Sequence, residues 1–108
     1  MSTPTVHDLV TALYAGGHLG AARGIAARHL AGRLDCPERL VRELVTLAIH
    51  DGIALCGTPR TGYFIAQTAE ECDLTHDFLY RRAMHSLRKL RVFRRTRREL
   101  AGQKRLPT

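Results

Sequence analysis

Tryptophan is absent from this 108-residue sequence, and cysteine occurs only three times. Cys36, Cys56 and Cys72 are odd in number and far apart in the chain, and no two of them form a CxxC pair. The pattern argues against a zinc site or a disulfide framework and predicts reduced thiols in or near a core. A chain of this length buries roughly two thirds of its unfolded surface, which is enough for one domain without crosslinks.

Long apolar runs are also absent. No stretch of eighteen apolar residues occurs, and the first ten residues have neither the basic nor the apolar segment of a signal peptide. The sequence therefore predicts a cytoplasmic protein without a membrane span.

The usual signatures of catalysis are missing. None of the six histidines falls in an HxxxH or HExxH spacing, and there is no glycine-rich phosphate loop. Asp73 and Asp77 flank His76, but helix capping and surface charge explain this group more simply than acid–base catalysis. We expect no enzyme activity, no small-molecule substrate, no cofactor and no metal.

Charge is present but unevenly distributed. Residues 1–80 carry six arginines and nine acids, a net charge of −3, whereas residues 81–108 carry eleven lysines and arginines and one glutamate, a net charge of +10. A run of this kind repels itself unless a counter-charge is supplied. The carboxy-terminal quarter therefore predicts a polyanionic partner, the alternative being a merely solvated face.

The amino-terminal third predicts one helix and a glycine-rich loop. Thr5 and Asp8 have the spacing of a capping box, and apolar residues then recur at helical spacing over Val6–Ala15. Clustered glycines predict a loop or broken helix as far as Gly24. His18 in this loop is interpreted as a solvent-facing or capping residue.

Two further helices are predicted next, separated by a tight turn. The first covers Ile25–Arg33, and the second runs from Pro37 to about His50, with Asp35 or Cys36 as its N-cap. The apolar face of the second helix is formed by Val41, Leu44, Val45 and Ala48, widened by Leu40, Leu47 and Ile49.

The opposite face of this second helix is polar. It carries Glu38, Arg39, Arg42, Glu43 and Thr46. Arginine can donate two hydrogen bonds to the edge of guanine, and threonine can contact a base or a phosphate. These side chains predict a helix that lies in the major groove of DNA.

A β-hairpin is predicted after this helix. Its strands are Ile53–Cys56 and Tyr63–Ala66, joined by a six-residue tip rich in glycine, proline and threonine. Arg60 is the only charged residue of the tip and, with Thr61, is expected to contact phosphates or the minor groove. An ordinary exposed loop arginine is the alternative.

The last predicted element is a long helix. Residues 68–71 form a second capping box, and a short break is possible near Asp73–Thr75. From His76 an apolar stripe comprises Leu79, Tyr80, Ala83, Met84, Leu87 and Leu90. The stripe could pack on the protein's own first helix or form a homodimer through Leu79, Ala83, Leu87 and Leu90. Beyond it the helix is expected to project, charged all round, with DNA contacts from Arg88, Arg91, Arg94, Arg95 and Arg98.

Residues 25–66 resemble the winged helix-turn-helix domains of bacterial and phage regulators. The resemblance lies in a small-residue helix, an LG-x-S-E-R-x-V-R segment, a D/E-G-I turn and a G-Y-hydrophobic wing strand. The matching residues are Leu30, Ala31, Leu34, Glu38, Arg39, Val41, Arg42, Asp51, Gly52, Ile53, Gly62 and Tyr63. The GYFIAQTAEE segment followed by an arginine-rich helix is similar to a group of small phage or prophage proteins. Pro37 and Leu40 depart from the pattern, and Leu40 removes one base contact.

Together the residues and the resemblance predict a mostly α-helical protein with a small β-hairpin. The expected organisation is a winged helix-turn-helix domain of a three-helix core plus wing (1–67), a long basic helix (68–102) and a flexible tail (103–108). The expected function is double-stranded DNA binding by a regulator of transcription or replication in a phage or mobile element. The alternative is a protein-interaction or assembly module, or an RNA-binding protein, that uses the basic helix.

Overall fold

The computed structural model describes residues 3–105, with side chains as far as Gln103, and this part of the chain is mostly helical with one small antiparallel hairpin. The elements are α1 (Val6–Ala15), a 3-10 turn (Ala21–Arg23), α2 (Ala27–Leu34), α3 (Glu38–His50), β1 (Leu55–Thr58), β2 (Gly62–Ile65) and α4 (Ala69–Arg105). The chain divides into an amino-terminal unit that ends at His76 and a carboxy-terminal unit that begins at Asp77, which we describe separately. The part of the predicted flexible tail at 106–108 lies outside the described residues.

Helix α1 has the bounds that the sequence predicts. The backbone N–H of Thr5 donates to Asp8 Oδ2 at 2.9 Å, and the N–H of Asp8 donates to the Thr5 hydroxyl at 3.2 Å, so the capping box is confirmed. Leu9 and Leu13, one turn apart, are fully buried. They are the contribution of α1 to the core.

Helix α2 begins two residues later than predicted. Ile25 is not helical, because it exchanges two backbone hydrogen bonds with Tyr63, at 2.9 and 2.8 Å. A β-branched residue suits such extended pairing, and two hydrogen bonds outweigh its weak helical propensity. The helix therefore starts at Ala27.

The turn between α2 and α3 differs from the prediction in its capping residue. Asp35 adopts a left-handed conformation (φ 51°, ψ 54°) and ends α2, a conformation that Asp tolerates better than most residues. The extended backbone that an N-cap requires falls instead at Pro37 (ψ 151°). Helix α3 therefore begins at Glu38, and neither Asp35 nor Cys36 is its N-cap.

The core of the amino-terminal unit lies between the first three helices and the hairpin. Its largest fully buried side chains are Phe64, Leu9, Leu13, Leu30 and Val41. The face of α3 predicted to be apolar is buried from Val41 to Ala48, with Leu40 packed at its edge. The prediction that Leu47 and Ile49 widen this apolar face is wrong, since their side chains are 54% and 44% exposed. At about 100° per residue they fall on either side of the outer face.

The hairpin is closed more tightly than predicted. Leu55 pairs with Ile65 and Thr58 with Gly62, so the tip contains residues 59–61 instead of six residues. The hydroxyls of Thr58 and Thr61 each accept the backbone N–H of the other at 3.2 Å, which closes the turn. Gly62 has φ +74°, and a Cβ there would lie 2.6 Å from the Ile25 carbonyl oxygen. Only glycine suits both the conformation and the close approach.

Helix α4 starts with the predicted second capping box. Thr68 and Glu71 exchange backbone-to-side-chain hydrogen bonds of 3.2 Å, and the Glu71 carboxylate also accepts the N–H groups of Ala21 and Gln67. The hydrogen bond from Ala21, with those from Gln67 and Thr68, holds the pKa of Glu71 below its ordinary value. This carboxylate fixes the first turn of α4 within the amino-terminal unit.

The break suggested near Asp73–Thr75 is not present, because α4 continues without interruption. The Thr75 hydroxyl accepts the N–H of Gly57 at 3.1 Å, a tertiary contact that compensates for poor helix propensity. The described part of the helix reaches Arg105, three residues beyond the expected end.

In the carboxy-terminal unit, the described side chains of α4 are exposed or half-exposed. Leu79, Leu87 and Leu90 are 51%, 48% and 48% exposed. Arg82 stacks over Phe78, with its guanidinium carbon 5.5 Å from the ring centroid. Within this unit, the predicted apolar stripe therefore stays accessible to a partner.

Candidate nucleic-acid interface

The outer face of α3 presents a continuous set of accessible polar side chains. Five of its exposed residues are Arg39, Arg42, Glu43, Thr46 and His50, and Glu38 is half-exposed at its start. Leu47 and Ile49 flank this face on its two sides. Sequence reasoning found its arginines and Thr46 but did not include His50, whose helical spacing from Thr46 could have identified it.

Both arginines of this face form ion pairs within the helix. Arg42 Nη2 lies 3.2 Å from Glu38 Oε2, and Arg39 Nε lies 3.9 Å from Glu43 Oε1. Pairs this exposed contribute only about 0–1 kcal/mol each. The arginines can therefore exchange their carboxylate partners for another acceptor at little cost.

The hydroxyl of Thr46 already makes one hydrogen bond within its own helix. Its hydroxyl donates to the carbonyl oxygen of Arg42 at 3.1 Å. The oxygen keeps its acceptor capacity, so Thr46 can accept a hydrogen bond from a base amino group while the helix stays intact.

At the tip of the hairpin, the two residues predicted to contact DNA, Arg60 and Thr61, have different surroundings. The Thr61 hydroxyl lies in a local network, donating to the Gly62 carbonyl at 2.9 Å and accepting from Thr58 N–H. Arg60 is exposed. The Thr61 hydroxyl therefore helps to close the turn. Arg60 is the charged group of the turn that stays accessible.

A basic cavity that was not predicted from the sequence lies beside the start of α2. Its volume is about 620 Å³, and it is lined by His18, Gly24, Ile25, Ala26, Arg28, His29, Gly32 and Arg33. Arg33 Nη1 lies 3.0 Å from His18 Nε2, and His18 Nδ1 lies 2.8 Å from the Arg23 carbonyl. Arginine only donates, so His18 accepts at Nε2 and donates from Nδ1.

A signal for this cavity was present in the sequence. Residues 9–34 contain no aspartate or glutamate but three arginines and two histidines. Their convergence depends on the loop that returns His18 toward α2, and a loop path of that kind is not visible in hydrophobic periodicity.

Four arginines of the carboxy-terminal unit lie along one side of helix α4. Arg88, Arg91, Arg95 and Arg98 recur at spacings of three and four residues, and all are exposed, as is Arg94. The stripe from Arg88 to Arg98 extends over roughly 15 Å of helix axis.

The arginine stripe is distinct from the apolar stripe. At about 100° per residue, the mean direction of Arg88, Arg91, Arg95 and Arg98 is rotated by roughly 100° from that of Leu79, Ala83, Leu87 and Leu90. Val92 and Phe93 fall outside the arginine stripe and are 50% and 69% exposed. Lys89 and Arg97 also lie outside the arginine stripe, so the second half of the helix carries charge on more than one side.

The described part of the chain offers neither a metal cluster nor a membrane-spanning helix. Within residues 3–105, no three histidine, cysteine, aspartate or glutamate side chains lie close enough to hold a metal ion. No helix described there combines the length and apolar character that crossing a membrane requires.

Comparisons of this chain with protein-family models, with curated proteins and with solved structures each gave no match.

Proposed function

We propose that this chain is a winged helix-turn-helix protein that binds double-stranded DNA. The observation that carries the proposal is the accessible polar face of α3, with Arg39 and Arg42 held only by exposed ion pairs. Helix α3 follows α2 after a three-residue turn and precedes the hairpin, the order that a recognition helix and wing have in such proteins.

The segment between α1 and α2 supports the fold part of the proposal. Leu19 forms a bridge with Ile65, and Ile25 forms one with Tyr63, so this segment lies beside β2. These bridges attach the predicted wing to the segment that joins the first two helices.

The roles of individual groups follow from their chemistry. Arg39 and Arg42 read bases in the major groove, and Arg60 contacts the backbone or the minor groove. The basic side chains around the α2 cavity contact phosphates, because the lining contains no carboxylate that would repel them. The arginines of α4 supply sequence-independent affinity for phosphates. On this proposal the chain is a regulator of transcription or replication in a phage or mobile element and has no catalytic role.

We include in the proposal a homodimer formed through Leu79, Ala83, Leu87 and Leu90. These half-exposed side chains lie at helical spacing, and the arginine stripe points in another direction. One helix can therefore contact a second copy and a polyanion at the same time. A two-fold dimer would match a palindromic DNA site.

Selection of bound sequences from a random duplex pool at moderate salt tests the main proposal. The expected result is a consensus, palindromic if the dimer forms. Arg39→Ala and Arg42→Ala should each cost about 1–3 kcal/mol on that consensus and leave binding to unrelated duplexes unchanged. Arg42→Lys is the matched control, because lysine keeps the charge but lacks the bidentate donors. It should lose preference for the consensus and retain general DNA binding.

The second candidate function is protein interaction or assembly, or RNA binding through the basic helix. The exposed Leu47, Ile49 and Phe93 favour it, because apolar and aromatic anchors are typical of protein interfaces. A pool selection that enriches no duplex sequence would favour this candidate over DNA recognition.

A further inference from the structure

Two of the three thiols lie side by side in the amino-terminal unit. Cys56 Sγ, on strand β1, is 4.0 Å from Cys72 Sγ, in the first turn of α4. Cys56 is buried and Cys72 is exposed. Their separation of sixteen positions in the sequence gave no sign of this contact.

Neighbouring hydrogen bonds hold the two thiols in place. Next to Cys56, Gly57 donates its N–H to the hydroxyl of Thr75, which lies one turn after Cys72. Next to Cys72, Glu71 accepts backbone N–H groups from residues 21, 67 and 68. The Gly57–Thr75 bond therefore ties β1 to α4, and the Glu71 bonds fix the start of α4 to residues 21, 67 and 68.

A disulfide needs a sulfur–sulfur distance of about 2.05 Å, so the two atoms must approach by roughly 2 Å. Rotation of a cysteine side chain between staggered rotamers moves its sulfur by a distance of this order.

We propose that Cys56 and Cys72 are an oxidative modification site that closes to an intramolecular disulfide on reaction with a small-molecule disulfide. The Cys72 thiolate attacks one sulfur of the oxidant, forms a mixed disulfide and releases one small thiol. The Cys56 thiolate then attacks the Cys72 sulfur, forms the Cys56–Cys72 bond and releases the second small thiol. Two protein thiols are oxidised, one oxidant disulfide is reduced, and the two thiol protons leave on the released thiols.

The different surroundings of the two thiols set this order. Cys72 is accessible to the oxidant, whereas Cys56 is buried. Burial, which outweighs the hydrogen bond with Thr75, raises the pKa of the Cys56 thiol. Cys56 is thus suited to the second step, in which the disulfide is already beside it. Since that step needs the Cys56 thiolate, ring closure should accelerate as pH rises.

The test uses the full chain with Cys36→Ser, which leaves only the pair, and oxidised glutathione as the probe. Intact mass spectrometry should show the loss of two hydrogen atoms, and peptide mapping should find a crosslink between the peptides that hold Cys56 and Cys72. A product that stops at one glutathione on Cys72, or a dimer crosslinked through Cys72, would overturn the proposal.

Two variants in the same background separate the steps. Cys56→Ser should accumulate one stable glutathione adduct on Cys72, because the second nucleophile is gone. Cys72→Ser should remain unmodified while folded and become modified at Cys56 only in urea. Modification of folded Cys72→Ser at the rate seen in urea would contradict the assigned order. Far-UV circular dichroism identifies any variant that fails to fold, and the Cys36→Ser protein alone still decides the result.

Discussion

The two units of this chain differ in the exposure of their apolar side chains. Thirteen apolar side chains of the described residues are buried, and all lie between Leu9 and Ile65. From Asp77 onward, none of the described apolar side chains is buried, and Leu79, Leu87 and Phe93 are about half exposed or more. A similar supply of leucine therefore forms a core in one unit and an accessible stripe in the other.

The units also differ in charge. Residues 1–76 carry six arginines and eight acids, a net −2, whereas residues 77–108 carry eleven basic residues and two acids, a net +9. The first unit can fold with little electrostatic repulsion, and the second can attract a polyanion from a distance. Under the proposed function, the first unit supplies sequence specificity and the second supplies general affinity for DNA.

Truncating one leucine in each unit gives the largest expected contrast. Leu30→Ala removes a fully buried side chain and should lower the free energy of unfolding by about 2–5 kcal/mol. Leu100→Ala removes a side chain that is 53% exposed and should change it by no more than about 0.5 kcal/mol. Urea denaturation of the full chain measures both changes in the free energy of unfolding. Equal losses would contradict the difference in burial between the two units.

Neutralising the arginine stripe tests the separation of affinity from specificity. Replacing the four arginines of the stripe, together with Arg94 beside it, with glutamine should weaken binding to all duplexes alike, by roughly a hundredfold at moderate salt. The slope of log affinity against log salt should fall by about 0.9 for each phosphate that the helix no longer neutralises. Fluorescence anisotropy over a salt series measures both quantities. An unchanged slope would mean that the stripe does not bind phosphates.

Several features of the fold could be predicted because local chemistry determines them. The capping boxes of α1 and α4 each require two residues three positions apart, and both formed as predicted. The buried face of α3 followed from helical periodicity at Val41, Leu44, Val45 and Ala48.

Some errors arose where distant contacts decide the structure. Ile25 pairs with Tyr63, 38 positions away, and so leaves the predicted helix. The basic cavity and the thiol pair likewise require tertiary positions. Another error was local, because the tight hairpin tip depends on hydrogen bonds between Thr58 and Thr61, three residues apart, that strand propensity does not reveal. At the candidate interface, Arg39 and Arg42 were predicted, but their ion pairs were not, although both have the i,i+4 spacing of helical pairs.

A glycine-to-alanine change should have opposite effects in the two units. Gly62→Ala introduces a Cβ at φ +74° and 2.6 Å from the Ile25 carbonyl oxygen, so it should destabilise the protein by about 2–3 kcal/mol. Gly102→Ala lies in helix α4 with no heavy atom within 4 Å of the new Cβ and should stabilise the helix by up to about 1 kcal/mol. Denaturation measures the first effect and far-UV circular dichroism the second. A stabilising Gly62→Ala would contradict the close approach of the hairpin to Ile25.

The accessible stripe of α4 can be tested by its effect on self-association. Replacing Leu87 and Leu90 with aspartate should weaken a homodimer at least about tenfold, since each leucine would lose burial against the second copy. Val92→Asp is the control, because Val92 is exposed in a similar proportion but lies outside the stripe. Sedimentation equilibrium measures the dissociation constants. Equal weakening by Val92→Asp would assign the effect to added charge and not to the stripe.

The smallest expected effect concerns the acid stability of the junction where α4 begins. The backbone N–H of Ala21, with those of Gln67 and Thr68, lowers the pKa of Glu71 in the folded chain. A carboxyl whose folded pKa is depressed contributes stability above its unfolded value, and the contribution is lost as pH falls through the folded value. Stability should therefore fall below pH 4.5, the ordinary pKa of glutamate, and Glu71→Gln should make that fall less steep.

Glu70→Gln is the control, because Glu70 lies on the same turn but is exposed, and it should leave the dependence of stability on acidic pH unchanged. Urea denaturation at a series of acidic pH values compares the three proteins. If Glu70→Gln flattened the slope as much as Glu71→Gln, the effect would come from overall charge and not from the hydrogen bonds that fix α4 to the core.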